Sequence, residues 1–237
     1  MRKPPSDGNV RRATPGPTRA LDTDPTRRDV SRAPPLDPLA DAVLDVWFAD
    51  PESGHRDRPR SRRWFRAGKA LDRELERRFA PTIAAAARGE HDAWRESPAG
   101  ALALIVLLDQ FPRHVHRGTP EAFAHDARAL AIAEAGVARG DLDALPLVQG
   151  VFYCLPFEHA ESRVAARRSL ALFRAIAERA PPELERFARA TLDSAAEHAA
   201  IVERFGRYSH RNAVLGRAST AEERAWLAEN PRRFGQG

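Results

Sequence analysis

From residue 37 onward the apolar positions return every three or four residues, the period of a helix with one buried face. Asp37 followed by Pro38 marks the first start. The carboxylate can accept a first-turn N–H, and a proline at the first helical position gives up no intrahelical bond. Leu39, Val43, Val46 and Trp47 then fall at helical spacing. Residues 50–63 are charged and read as a loop. Leu71, Leu75 and Phe79 predict a helix beginning near Trp64 or Lys69, continuing past Pro81 through Ile83 and stopping at Gly89. Ser97 before Pro98 and Thr119 before Pro120 repeat the start device. They open an apolar helix reaching Phe111 and another running to Gly140. Residues 147–155 read as a helix broken by Pro156, with further helices over 157–179 and 182–205. Thr220 with Glu223 forms a capping box for the last helix, which ends before Pro231.

This pattern predicts an all-α fold of about eight helices. Period-2 alternation is absent and β-branched residues are scarce, which argues against strands. The connections are short, so neighbouring helices should pack antiparallel. No clean repeat recurs at 34 residues, which argues against a superhelix of many identical units.

Composition sets limits on this picture. The 237 residues are 43% hydrophobic, enough for the core of one domain. The most apolar run, residues 99–108, falls well short of the roughly 20 residues that span a bilayer. No apolar stretch near the start suggests a secretory signal. Cys154, the sole cysteine, lies in the apolar stretch 151–157 and reads as a small buried hydrophobe, which suits a reducing cytoplasm.

Residues 1–36 contain seven of the 19 prolines and no aromatic residue. Such a segment buries too little apolar area to offset its ordering entropy, so a disordered tail is expected there, with the helical domain over 37–237. The tail also explains the charge. It holds eight Lys+Arg against four Asp+Glu, leaving 30 against 29 for the remainder of a chain whose net charge is +5. A nearly neutral domain argues against nucleic-acid binding, despite a pI near 10.2.

Four segments carry candidate chemistry. In residues 107–114, Asp109 and Gln110 lie at the end of an apolar helix, with Arg113 four residues beyond Asp109. A carboxylate there needs a partner. The pair is either an ion pair fixing the helix end or the wall of a charged pocket. In residues 156–161, Glu158, His159 and Glu161 would open a helix if Pro156 starts one. They suit acid–base work or a metal, or are simply acids favoured by the helix dipole. His198 shares a helix face with Ile201, Val202 and Phe205, as a core histidine or a second ring for the same site. Residues 204–220 follow the helix stop Gly206 with Arg207, His210, Arg211, Asn212 and Arg217. Guanidiniums gathered near a histidine suit a carboxylate or phosphate, or else bridge acids such as Asp109 and Glu158.

In these segments the chain resembles a bacterial family, domain of unknown function 924, through VLDVWF (43–48), WF (64–65), LLDQFPR (107–113), RGTPEAF (117–123), PFEHAE (156–161), RFGRYSHRN (204–212) and LGRASTAEE (215–223). The resemblance covers about residues 39–235 and implies a compact TPR-like stack of helices. The family pattern differs at His114, usually asparagine; around Ala160 and Ser162; and at Tyr208 and Ser209, usually phenylalanine and proline. The resemblance brings no activity with it.

Three functions compete, beside a fourth reading in which the motifs merely hold the fold together. The first is a pocket for a small anionic molecule, formed by Asp109, Gln110, Arg113, Glu161, Arg207, His210, Arg211, Asn212 and Arg217. In it His159, His198 and Glu158 are the acid–base candidates. The second is a metal-assisted hydrolase using His159, His198 and His210. The third is a scaffold for a protein partner. No cofactor or metal is assigned by the pattern.

Overall fold

The computed structural model describes Met1 and residues 35–66 and 68–230. The expected disordered tail falls almost wholly outside the described residues. Among those residues there is no strand. Ten α-helices can be followed: α1 Pro38–Phe48, α2 Ser61–Arg66, α3 Lys69–Arg88, α4 Pro98–Ile105, α5 Phe111–Val115, α6 Asp126–Arg139, α7 Leu147–His159, α8 Arg163–Glu178, α9 Glu185–Phe205 and α10 Ala221–Glu229. None of the described helices is long and apolar enough to cross a membrane.

The helix starts follow the local chemistry. Asp37 accepts the Leu39 N–H at 2.8 Å, Ser97 accepts from Gly100 at 3.2 Å, and Thr220 and Glu223 complete a reciprocal capping box. Gly89 and Gly206 end α3 and α9 at φ 88° and 72°, a backbone region that glycine enters without strain. In α1 the buried face is Ala40, Val43, Leu44, Val46, Trp47 and Phe48, whereas Leu39 is 36% exposed. The charged loop ends earlier than expected, because α2 begins at Ser61. Trp64 Nε1 donates to the Trp47 carbonyl at 2.8 Å, tying α2 to α1.

The centre of the fold is α4. It is apolar on every side, and residues 100–108 are all buried, as befits a helix surrounded by others. Its continuation is unusual. Residues Val106–Gln110 form a π-helical turn, with the Phe111 N–H reaching back five residues to the Val106 carbonyl. Pro112 supplies no N–H, and its ring crowds the carbonyl four residues earlier. Widening the preceding turn relieves that conflict, and such turns are frequent at functional sites.

Two predicted boundaries shift. The helix expected from Thr119 to Gly140 is divided. Pro120–Phe123 forms a 3-10 turn and α6 starts only at Asp126, whose carboxylate then occupies a favourable N-terminal position. Pro156 does not break its helix. It lies in the last turn of α7, which continues to His159, and the break comes at residues 160–162, where Ser162 caps α8. Glu158 and His159 therefore stand at a helix C-terminus, not at an N-terminus. The reading of Glu158 as an acid favoured by the helix dipole is overturned: the dipole opposes its charge.

The helices α8 and α9 run antiparallel along their length, as Arg167 at the start of one pairs with Glu203 at the end of the other at 2.8 Å. A second constraint closes α6 on α7. The Tyr153 hydroxyl donates to the buried Asp141 at 2.7 Å, and Arg139 holds the same carboxylate. Gly136 lies against this pair, and a Cβ there would overlap the Tyr153 hydroxyl. Gly136→Ala should therefore destabilise the protein by about 1–3 kcal/mol despite alanine's better helix propensity. The check is a drop in thermal midpoint of roughly 2–4 °C per kcal/mol. An unchanged or raised midpoint would contradict the close packing.

Candidate functional site

The π turn presents Asp109 inward, where its side chain has no exposure at all. A carboxylate there must be compensated, and three groups do so. His159 Nδ1, at the end of α7, approaches Oδ1 at 2.7 Å and Oδ2 at 2.9 Å. Arg113 Nη1 lies 3.2 Å from Oδ1, and the Gln110 amide donates to Oδ2. Burial alone would raise this carboxyl. Arg113 and His159 outweigh it and hold the group ionised, well below the usual range.

An ionised carboxylate can only accept, so the proton between it and His159 sits on Nδ1 of the ring. His159 itself is held below the ordinary histidine value by burial and by Arg113, against the pull of Asp109. In its neutral form it therefore carries the lone pair on Nε2. No hydrogen bond engages Nε2 among the described residues, and the side chain keeps 15% exposure.

Arg113 extends the network. Its fork grips Asp126 at the start of α6 with bonds of 2.8 and 2.9 Å, and Arg211 Nη1 reaches the same carboxylate at 3.3 Å. Arg211 is itself buried, with its guanidinium 4.5 Å from the Phe123 ring centre and 4.4 Å from that of Tyr208. Its Nε has no hydrogen-bond partner.

Glu158 faces the other way, into α9. Ser194 Oγ donates to its Oε1 at 3.2 Å, and His198 Nδ1 lies 3.0 Å from the same oxygen. His198 Nδ1 also meets the Ser194 carbonyl at 2.9 Å; since a carbonyl only accepts, Nδ1 carries the proton. Glu158 Oε2 is buried without a partner. Among the described residues no arginine pairs with this carboxyl, and the charge of Arg113 lowers it only in part. Burial pushes it up to about 8, the Ser194 bond offsets this only in part, and the charge of Asp109 adds to the rise. Glu158 is thus a carboxylic acid at neutral pH, its proton left to Oε2. Burial likewise lowers His198 to about 3 and His210 to about 4, so both rings are neutral.

The remaining predicted residues hold the loop in place. Glu161 accepts the Tyr208 N–H at 2.8 Å and is gripped by Arg217 at 2.5 and 2.8 Å. The buried Glu223 takes Arg207 at 2.7 and 2.8 Å, together with Asn212 and Ser209 at 3.3 Å. The Tyr208 hydroxyl donates to the Glu158 carbonyl, which brings loop and α7 together. Arg207 and Asn212 are therefore turned to Glu223, away from Asp109 and His159. Asp126, Ser194, Phe123 and Tyr208 belong to the site but carry no local signal for it in the sequence.

Some chemistry finds no geometry here. Among the described residues no three His, Cys, Asp or Glu side chains are grouped as a metal requires. Cys154 is fully buried, and burial pushes its thiol up to about 12, far from a nucleophile. His114 stands in a separate group, 3.0 Å from Asp72 and 3.2 Å from Arg117, with its ring against Trp47. Two surface hollows, of about 390 and 250 Å³, lie near Arg186 and near Leu145, away from Asp109 and His159.

The raised Glu158 sets a pH dependence. The folded protein keeps a proton that the unfolded chain releases above its ordinary value of 4.5. Stability from this group is therefore lost as pH rises from there to about 8. Glu158→Gln cannot ionise and escapes the loss. Denaturant melts across this range should show the variant gaining on the parent by up to about 1.4 kcal/mol per pH unit. A difference that does not vary with pH would mean that Glu158 is ionised in the fold.

No curated protein matches the chain. A solved structure, of a protein of unknown function, ATU0120, from Agrobacterium tumefaciens, is 38% identical to it, with a TM-score of 0.68; the match covers 81% of this chain and 98% of that one. The model of a family described as bacterial protein of unknown function, DUF924, matches residues 43–231. With that span matched, the chain belongs to the DUF924 family.

Proposed function

We propose that this cluster binds a small oxyanion, with Arg211 as the contact for its charge, and that His159 transfers a proton to or from it. The observation that carries the reading is the Asp109–His159 pair. A buried carboxylate holds Nδ1 of an imidazole at 2.7 and 2.9 Å, and the opposite nitrogen is left for a substrate. This is the division of labour by which a carboxylate orients a general base. Arg211 adds a buried guanidinium whose Nε has no resident partner, and an oxyanion supplies what that group lacks. Glu158 keeps a second proton on the neighbouring residue. The enclosed, reduced thiol of Cys154 is in keeping with a cytoplasmic setting.

The scaffold reading finds less support. Among the described residues from 35 onward the exposed large hydrophobics are Leu39 and Val164, too few to line an apolar groove.

Two measurements test the proposal. Nitrogen-edited NMR of the imidazoles should find neutral His159 protonated on Nδ1, with Nε2 bearing the lone pair. The opposite tautomer would remove the base. A thermal-shift series with sulfate, acetate and succinate should show a rise of about 5–10 °C for an anion at roughly 100 times its dissociation constant. Arg211→Lys keeps the charge but loses Nε and the fork, so the rise should shrink to what at least tenfold weaker binding allows. If no oxyanion shifts the parent, the proposal is wrong.

A further inference from the structure

The charges around His159 cancel at rest. Three guanidiniums enter the cluster, from Arg113, Arg211 and Arg217, and three carboxylates meet them, from Asp109, Asp126 and Glu161. Glu158 adds no charge while it keeps its proton, and His159, His198 and His210 are neutral. An arriving oxyanion therefore brings a charge that no resident cation remains to balance. In buried surroundings an unbalanced charge is costly.

The landing point is nevertheless built. Arg211 is 6% exposed, its Nε is partnerless, and its bond to the Asp126 carboxylate is a long 3.3 Å. Burial and the neighbouring Arg113 pull its guanidinium below the ordinary value, against the pull of Asp126 and Glu161. The site thus offers donors to an oxyanion but not the net charge to hold one.

We propose that an oxyanion binding at Arg211 brings one proton with it, and that this proton settles on Nε2 of His159. The inference rests on the oxyanion reading above and specifies how that site balances charge. His159 is the fitting acceptor because Asp109 already lies against Nδ1, so the imidazolium has a carboxylate partner before the ligand arrives. Its 15% exposure gives the proton a route. The groups that face it are Asp109 from the π turn, Arg113 from α5, Asp126 from α6, His198 from α9 and His210 from the loop, with Glu158 beside it on α7, and Arg211 is joined to it through their shared neighbours Arg113, Asp126 and His198. Arg113 opposes the proton while Asp109 and Asp126 favour it, and a bound oxyanion tips the sum.

The alternative acceptors are worse placed. His198 has already committed its Nδ1 proton to the Ser194 carbonyl and stands beside a neutral carboxyl. His210 is disfavoured by Arg211 and Arg217. Glu158 already holds a proton. In the complex His159 is then the acid. Chemistry begins with Nε2–H breaking as a bond forms from that proton to a ligand oxygen, and the ring returns to neutral imidazole with Asp109 still on Nδ1. No oxidant or reductant is involved.

Sulfate is the suitable probe, because it stays fully ionised across the neutral range. Titration calorimetry near neutral pH, repeated in buffers of different ionisation heat, should give an uptake of about one proton per sulfate bound. Affinity should fall about tenfold per pH unit on the alkaline side. His159→Asn, checked by circular dichroism for its fold, should bind sulfate more weakly than the parent does at neutral pH, with no uptake and with an affinity that pH no longer alters. Sulfate binding without proton uptake in the parent overturns this inference and leaves the oxyanion site standing. Uptake that survives in His159→Asn but disappears in His198→Asn or His210→Asn assigns the proton to another ring and overturns it too. If neither sulfate nor acetate nor succinate binds the parent, the oxyanion reading itself fails, and the inference with it.

Discussion

A carboxylate with no solvent exposure, on a helix that is apolar on every side, is the constraint around which this protein is arranged. Asp109 cannot be hydrated, and leaving it unpaired would cost several kcal/mol. Arg113, Gln110 and His159 meet that demand, and each carries a further consequence. The second half of the Arg113 fork is committed to Asp126, which fixes the start of α6. Asp126 in turn draws in Arg211 across the loop. The approach of His159 fixes the end of α7, with Glu158 beside it turned to α9. Four elements distant in sequence are thus registered through one buried charge. The π turn makes this possible, because an ordinary α-helical turn ahead of Pro112 would aim the side chain elsewhere.

Around this centre the polar residues divide by what their partners leave over. Arg207 and Arg217 each have a carboxylate held by both ends of the fork, and Glu223 is also the capping residue of α10. Both pairs are bidentate, although Arg217 Nε is itself without a hydrogen-bond partner, and their geometry explains why a loop bounded by Gly206 and Gly216 stays in place. Arg211 is held less firmly. It shares a carboxylate with Arg113, has a long bond to it, and is stacked between two rings. Doubly held pairs fix structure, and a single long bond fixes Arg211 less.

The legibility of these features in the sequence follows from the range of the forces involved. Caps and helix stops depend on residues a few positions apart, so Asp37 with Pro38, Thr220 with Glu223, and Gly89 could all be read directly. The partnership of Arg113 with Asp109 was also legible, because four residues is one helical turn. Pro156 misled, since proline's effect depends on whether the lost bond is affordable in that turn, and near the end of α7 it was. Asp126 was invisible for a different reason. It lies 85 residues from Arg211, and nothing local distinguishes it from any other acid at a helix start. The roles of Arg207 and Asn212 were obscured in the same way, for their partner Glu223 was already accounted for as a cap.

The shift of the helix end from Leu155 to His159 changes more than a boundary. At a helix N-terminus Glu158 would be stabilised as an anion, and the cluster would carry an extra negative charge. At the C-terminus it faces the negative end of the helix dipole in a position stripped of water. Both effects favour the acid form, and no arginine comes near enough to reverse them. His159, one residue on, meets the same dipole with the opposite result, since that end favours a cation and Asp109 reinforces it. Two adjacent side chains are thus both drawn toward holding a proton. Burial lets the carboxyl keep one in the resting protein but withholds one from the ring until a further negative charge arrives. A neutral cluster with one proton stored and one vacancy beside a carboxylate is a poor arrangement for stability alone. It is the arrangement expected where proton movement accompanies the binding of an anion.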